Sequence, residues 1–188
     1  FGGLDILILD AAYNEFIPFQ ELDSLDKAKW EFILNYNLTA PYLAIRKAVP
    51  FMKKRGGGRI ITISSIAGLY PSGSSIAYAV SKSGLIHLTR CPAVALAPDI
   101  LINNVAPGLM EGTRITSNLI ADYIKKALNN AILKRATEKD DVAQTVVLLA
   151  RLTVLLAKVL SLMEVVFFIE PIKYQKTFYL EIQYNSSF

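Results

Sequence analysis

Short unbroken apolar runs alternate along the chain with longer stretches in which apolar residues recur at helical spacing. Leu4 to Leu9 (LDILIL), Arg59 to Ser64 (RIITIS) and Ile100 to Val105 lack the in-and-out alternation of a half-exposed strand, which predicts buried parallel strands. Between the first two, Ala28, Phe32, Tyr36, Ala40 and Ala44 recur every four residues, predicting a long helix capped by Asp23-Ser24 and running towards Met52. Lys53-Lys54-Arg55 and Gly56-Gly57-Gly58 mark its end. A Gly/Pro/Ser-rich loop from Gly68 to Ser75 leads into a helix from about Ala77 to Leu96, which Pro92 is expected to interrupt at a cost of about 3 kcal/mol. A further helix is expected from Thr137 through Ala150, with Thr137 and Asp140 at the spacing of a capping box. Strands alternating with helices imply an α/β layer fold around a mostly parallel sheet. Ligands then belong at the carboxyl ends of the strands, here Asp10 to Ala12, Ser64 to Gly68 and Pro107 to Thr113.

Composition narrows the chemistry. With 188 residues, 53% of them hydrophobic and 19% charged, the chain can bury one domain's core and is not a disordered or low-complexity segment. Cys91 and His87 are the sole cysteine and histidine, so neither a disulfide framework, a Cys/His metal site nor a Ser-His-Asp triad is expected. A net charge of +4 is mild, and Lys53-Lys54-Arg55 reads as a solvated helix end, so no nucleic-acid partner is expected. Gly56-Gly57-Gly58 precedes a strand and does not link a strand to a helix, which makes it a turn and not a phosphate cradle. The chain opens on Phe1 with no charged segment followed by an apolar one, so no signal peptide is visible and a cytoplasmic location is expected.

The chemistry-bearing residues cluster around the third helix. Tyr78 and Lys82 lie four apart, so their side chains stack on one face. A nearby ammonium favours a phenolate, and on that ground Lys82 is expected to lower the Tyr78 pKa and suit the pair to acid-base work at a carbonyl. Ser65, thirteen residues before Tyr78 at the end of the second strand, can donate a hydrogen bond to the same oxygen. Taken alone, such a pair is a weak motif and reads as ordinary surface neighbours on a helix. His87, nine residues beyond Tyr78, lies about 13 Å further along the axis and is assigned a packing or surface role.

The stretch GRIITISSIAGLYPSGSSIAYAVSKSGLIHLT, followed by NNVAPG, resembles the short-chain dehydrogenase/reductase family in its Ser-Ser strand end, its Ser-to-Tyr spacing and its Pro-Gly cofactor loop. Asn37 in NYNLTAPYLA falls where that family places a helix asparagine. The resemblance covers residues 1–151, read as the C-terminal part of a Rossmann-like domain, a partial doubly wound parallel sheet that lacks its first strands. It implies Tyr78 as general acid/base and Lys82 as the group that lowers its pKa and binds the nicotinamide ribose. Ser65 would position the carbonyl, and Asn37 would hold a water in the proton relay. Ala11, Ala12, Pro107, Gly108, Met110 and Thr113 would border the cofactor, NAD or NADP, with no metal. The implied reaction moves a hydride between the nicotinamide and a small-molecule carbonyl or secondary alcohol, in members similar to 3-oxoacyl-carrier-protein reductases. A homo-oligomer is expected for a full-length protein.

Departures from the family set the rival reading. The chain contains no Gly-x-x-x-Gly-x-Gly turn, and Leu9-Asp10-Ala11-Ala12 stands where Asn-Asn-Ala-Gly is usual. Residues 152–188 form an apolar tail without the family's final glycines, and Lys158 and Glu164 argue against a membrane span there. Back-translated and regrouped by one base, Val154 to Val165 reads Val-Thr-Gly-Gln-Ser-Leu-Val-Ile-Asp-Gly-Gly, so the tail is expected to be an out-of-frame version of the family's last strand. As written, Val154 to Ile169 is not expected to suit that sheet edge. The alternative function is accordingly a catalytically incompetent fragment that associates through its helices.

Overall fold

The computed structural model describes residues 2–131 and 133–162. Four parallel strands form one sheet in chain order, β1 (Ile6–Leu9), β2 (Gly58–Ile63), β3 (Ile100–Pro107) and β4 (Val159–Leu162). Ile6 lies opposite Arg59, Gly58 opposite Ile100 and Asn104 opposite Val159, a register that brings the carboxyl ends of the strands to one rim. Helices α1 (Lys27–Leu34) and α2 (Ala40–Lys53) lead from β1 to β2, and α3 (Ile76–Leu96) leads from β2 to β3. After β3 the chain makes α4 (Arg114–Ser117), α5 (Ala121–Asn130) and α6 (Lys139–Arg151) before returning as β4.

The sheet is covered on both faces, as its unbroken apolar strands require. Ile60, Ile100 and Ile102 pack against Ile45 and Met52 of α2 and Ala93 of α3, while Ile61, Ile63 and Val105 meet Val146 and Leu149 of α6. Each fully buried isoleucine contributes about 1.5–3 kcal/mol. The polar residues of β3 are spent within the core. Asn104 Nδ2 donates to Thr62 Oγ1 at 2.6 Å, and Asn103 Nδ2 donates to the Leu155 carbonyl at 2.9 Å, tying the approach to β4 onto the sheet.

Four expectations change. Asp26, not Asp23-Ser24, caps α1, accepting the Lys29 N–H at 2.8 Å, and Leu22–Ser24 makes a separate 3₁₀ turn. The buried stripe runs through Ile33, Asn37, Pro41, Ile45, Ala48 and Met52, whereas Phe32 and Tyr36 are 53% and 42% exposed. The visible stripe lies one residue off the true one because a polar Asn37 and a proline interrupt the buried side. Pro92 does not interrupt α3, which continues to Leu96 because Leu88, Ala93 and Leu96 pack against the core and hold the turn. Thr137 does not cap α6, since Glu138 takes that position and the Thr137 hydroxyl donates to the Leu162 carbonyl at 3.4 Å.

The tail also joins the sheet further than its composition suggests. Val159–Leu162 pairs with Asn104–Pro107, so this segment does suit the edge of β3. Pairing is a backbone matter, and the four-residue segment Val-Leu-Ser-Leu needs no glycine to supply it. The rest of the tail, with the remainder of the out-of-frame reading, lies outside the described residues. Ala157, just before β4, has φ 56°, a left-handed conformation that glycine adopts freely. The regrouped reading places its glycine at this position.

Candidate active site

The site assembles where β2 and β3 end beside the start of α3. Ser75 caps α3 by accepting the Tyr78 N–H at 3.2 Å, which sets the first turn so that Tyr78 and Lys82 stand one above the other. They are 6% and 2% exposed. Lys82 Nζ donates to the carbonyl of Ile63, the last residue of β2, at 3.0 Å. Beyond it Ser64 Oγ donates to Asn104 Oδ1 at 2.6 Å, and Ser65 opens the 3₁₀ turn Ile66–Gly68 by accepting the Ala67 N–H. Gly68 lets this turn lie on α3, because a Cβ there would stand 2.6 Å from the Lys82 carbonyl carbon.

Burial dominates the electrostatics. It pushes the Tyr78 phenol up to about 12, partly opposed by hydrogen bonding with the Ser65 side chain and reinforced by nearby Tyr123. It also pulls the Lys82 ammonium down to about 8, against the charge of Asp10. The expected lowering of the Tyr78 pKa by Lys82 is therefore not the net effect here. Nζ lies 5.7 Å from the phenol ring centroid and is turned to the Ile63 carbonyl.

A cavity of about 130 Å³ opens at the rim, lined by Tyr78, Lys82, Ser65 and Ala12. Pro107, Gly108, Met110 and Thr113 form its wall after β3. Ala11 and Asn37 stay outside it. Ala11 is exposed beside Asp10, which does line the cavity. Asn37 is 1% exposed at the centre of a π-helical turn, Asn35–Thr39, between α1 and α2. Its Oδ1 accepts the Tyr13 N–H at 2.8 Å, while Nδ2 donates to the Tyr13 carbonyl at 2.8 Å and to Ser81 Oγ at 3.0 Å. The side chain thus binds the loop after β1 to α3, beneath Tyr78.

Other residues of the site carry no local sequence motif. Asn14 Nδ2 donates to the Ile115 carbonyl at 2.9 Å and its Oδ1 accepts from Asn118 at 3.0 Å, clasping α4 to the loop after β1. Tyr123 of α5 reaches over the opposite wall, where its oxygen accepts the Gly73 N–H at 3.0 Å. Both connect residues far apart in sequence, and the one legible signal was the aromatic position in a polar helix. Among the described residues no group of His, Cys, Asp or Glu could hold a metal ion, and no helix is long and apolar enough to cross a membrane.

Residues 1–124 match the short chain dehydrogenase family. The human "Dehydrogenase/reductase SDR family member 4" is 42% identical over 111 residues, covering 58% of this chain and 39% of that protein. The cis-4-hydroxycyclohexanecarboxylate dehydrogenase of Sinomonas cyclohexanicum is 33% identical over 151 residues, covering 80% of this chain and 59% of that one. The chain therefore spans less than two thirds of either relative. The crystal structure of 3-ketoacyl-(acyl-carrier-protein) reductase from Brucella melitensis complexed with NADH superposes with a TM-score of 0.78 at 22% identity, over 87% of this chain and 67% of that one, a likeness of fold.

Proposed function

We infer the reaction from one premise: this chain belongs to the short chain dehydrogenase family. On that basis it carries the proton-transfer half of an NAD(P)-dependent oxidoreductase acting on a small-molecule carbonyl or secondary alcohol. The observation that carries the reading is the buried Tyr78–Lys82 pair beside Ser65 at the sheet's carboxyl rim. The residues fit the nicotinamide end of the cofactor. Lys82 spends one of its three N–H groups on Ile63, leaving two for ribose hydroxyls. Gly108 lets the wall pack directly on Thr137, since a Cβ there would stand 2.7 Å from Thr137 Oγ1. Pro107, Met110, Thr113 and Ala12 supply the rest of that surface.

When bound, NAD(P)H supplies a hydride to the carbonyl carbon. Ser65 Oγ donates to the carbonyl oxygen and holds it in place, and Tyr78 gives that oxygen its phenolic proton. With its pKa near 12, Tyr78 rests as the neutral phenol, which favours reduction over alcohol oxidation. The Lys82 ammonium, charged below about pH 8, offsets the tyrosinate that forms. Asn37 acts through position, fixing the floor under Tyr78 by way of Ser81. The reading extends to a homo-oligomer, supported by the exposed apolar residues Phe32, Tyr36, Leu43 and Phe51 along α1, the turn after it and α2.

A second reading, association without turnover, is favoured by β1, an edge strand whose Ile6 and Ile8 are 46% and 48% exposed. Tyr78→Phe decides between them. In this chain extended by a glycine-rich strand-to-helix unit that binds the cofactor pyrophosphate, it should lower kcat for carbonyl reduction by about a hundredfold or more while leaving the cofactor Kd within about twofold. Retention of more than about a tenth of the wild-type kcat removes Tyr78 from the role.

A further inference from the structure

The site holds two hydroxyl groups that proton transfer does not use. Ser74 Oγ is the one buried side-chain polar atom among the described residues without a hydrogen-bond partner, on a residue 3% exposed in the cavity wall. Leaving such a group unpaired is costly, and the surrounding backbone keeps it there. The Ser74 carbonyl accepts the Ile17 N–H at 2.8 Å, and the neighbouring Gly73 N–H donates to the Tyr123 oxygen at 3.0 Å. Tyr123 only accepts in that bond, so its own proton has no acceptor among the described residues. Burial raises its pKa and keeps it an O–H donor.

Gly73 and Tyr123 also mark a junction. The inner cavity of about 130 Å³ is smaller than the ~300–1,000 Å³ usual for a ligand site. A second cavity of about 350 Å³ adjoins it, sharing Ser72, Gly73, Tyr123 and Ala127. Its outer wall is apolar, with Phe16, Pro18, Phe19 and Pro71. Gly73 fixes the junction against the catalytic phenol: it has φ 109°, and a Cβ there would stand 3.1 Å from the Tyr78 ring. A molecule whose carbonyl reaches Tyr78 and Ser65 and whose body extends into the second cavity passes Tyr123, with Ser74, the residue after Gly73, in the inner wall.

We propose that Tyr123 and Ser74 form a second polar anchor, which selects carbonyl compounds bearing another hydrogen-bond acceptor between the reacting carbonyl and an apolar tail. The Tyr123 O–H donates to that acceptor. Ser74 turns about χ1 among its staggered wells to meet the same group without backbone movement. The apolar tail lies in the outer cavity against Phe16 and Phe19. A plain ketone leaves both hydroxyls unpaired and binds less well. This selection rests on the carbonyl-oxidoreductase reading above.

The test compares a β-oxo ester carrying a phenyl tail with the plain ketone of equal length in which two methylenes replace the ester C(=O)–O group. Binding of each to the 188-residue chain is titrated by ligand-observed saturation-transfer NMR. The wild-type chain should bind the β-oxo ester about tenfold more tightly, and Tyr123→Phe and Ser74→Ala should each reduce that preference to about threefold or less. Equal affinities in the wild type, no measurable binding of the β-oxo ester, or an undiminished preference in both variants overturns the proposal. Thermal unfolding supplies a second readout. Ser74→Ala removes an unpaired hydroxyl and should leave Tm unchanged or higher, whereas a lowered Tm shows a structural hydroxyl and overturns the role of Ser74. Turnover by Tyr78→Phe tests the parent reading separately, because loss of catalysis there leaves the binding preference intact.

Discussion

Asn37 shows how much a buried polar side chain can settle at the scale of a residue. Its amide makes three hydrogen bonds, to Tyr13 N, Tyr13 O and Ser81 Oγ, at a position 1% exposed. Asn37→Ala leaves Tyr13 and Ser81 with unpaired groups and should destabilise the fold by about 2–4 kcal/mol in urea unfolding. A loss below about 1 kcal/mol would show that water replaces the amide without penalty. Lys82 makes a pH-dependent contribution. Below about pH 8 it is protonated in both folded and unfolded chains, and its buried charge opposes folding. Between about 8 and the ordinary lysine value of 10.5, the unfolded chain holds a proton that the folded chain has released, so stability rises with pH through that window. The gain from about pH 8 to pH 10 should be on the order of 2 kcal/mol and should disappear in Lys82→Met, which has no proton to release. A urea midpoint that falls over this range in the wild type, or rises equally in both proteins, contradicts the assignment. Tyr78 acts in the opposite sense, but only between about 10 and 12, above the window used.

At the scale of elements, legibility in the sequence follows how local the deciding force is. The strands Arg59–Ser64 and Ile100–Val105 are recognisable because burial on both faces demands an unbroken apolar run, and the observed β2 and β3 differ from them only at their ends. The buried side of α1 and α2 is concealed because its polar member, Asn37, is paired by residues distant in sequence, while Phe32 packs edge-on to Tyr13 at 4.9 Å and remains half-exposed. Helix α5 escapes notice for a related reason: it has no fully buried residue, and Tyr123 gains its meaning from Gly73 fifty positions earlier. Of the candidate site, Tyr78, Lys82 and Ser65 stand out through the family resemblance and not through spacing alone, and the hydrogen bonds of Asn14 and Tyr123 require the fold. The approach to β4 offers a direct test of backbone fit. Ala157 donates its N–H to the Ile102 carbonyl at 2.8 Å while held at φ 56°, where a Cβ is crowded. Ala157→Gly should raise stability by about 0.5–1 kcal/mol, the relief of that crowding outweighing the greater entropy of glycine in the unfolded chain. A lower Tm in the variant would mean that Ala157 does not occupy the left-handed region in solution.

At the scale of the whole molecule, the sheet supplies what the proposed reading takes as the nicotinamide end of a cofactor site, with nothing comparable for the phosphates among the described residues. Dinucleotides gain much of their affinity where backbone N–H groups at a glycine-rich helix start meet the pyrophosphate, and these 188 residues contain no such turn. Asp10 lines the cavity near the expected nicotinamide wall and places a negative charge beside an anionic ligand. Against these stand the two remaining N–H groups of Lys82 and the Pro107–Gly108 wall, which on the proposed reading would meet a ribose and a nicotinamide but not a pyrophosphate. The tail is less of an obstacle than its composition suggests, because β4 pairs with β3 and the Gly108 N–H donates to the Leu162 carbonyl at 3.1 Å. The balance is set by the missing phosphate contact. A polypeptide confined to this sequence should show no saturable rise in Tm with NADH or NADPH, since a ligand stabilises a fold only to the extent that its concentration exceeds its Kd. Adding a glycine-rich strand-to-helix unit that pairs with the free edge of β1 should restore the shift and cover Ile6 and Ile8 at the same time. A clear saturable shift of the unmodified polypeptide would instead show that the Lys82 and Gly108 surface binds the cofactor unaided, and would move the source of dinucleotide affinity from the phosphates to the nicotinamide end.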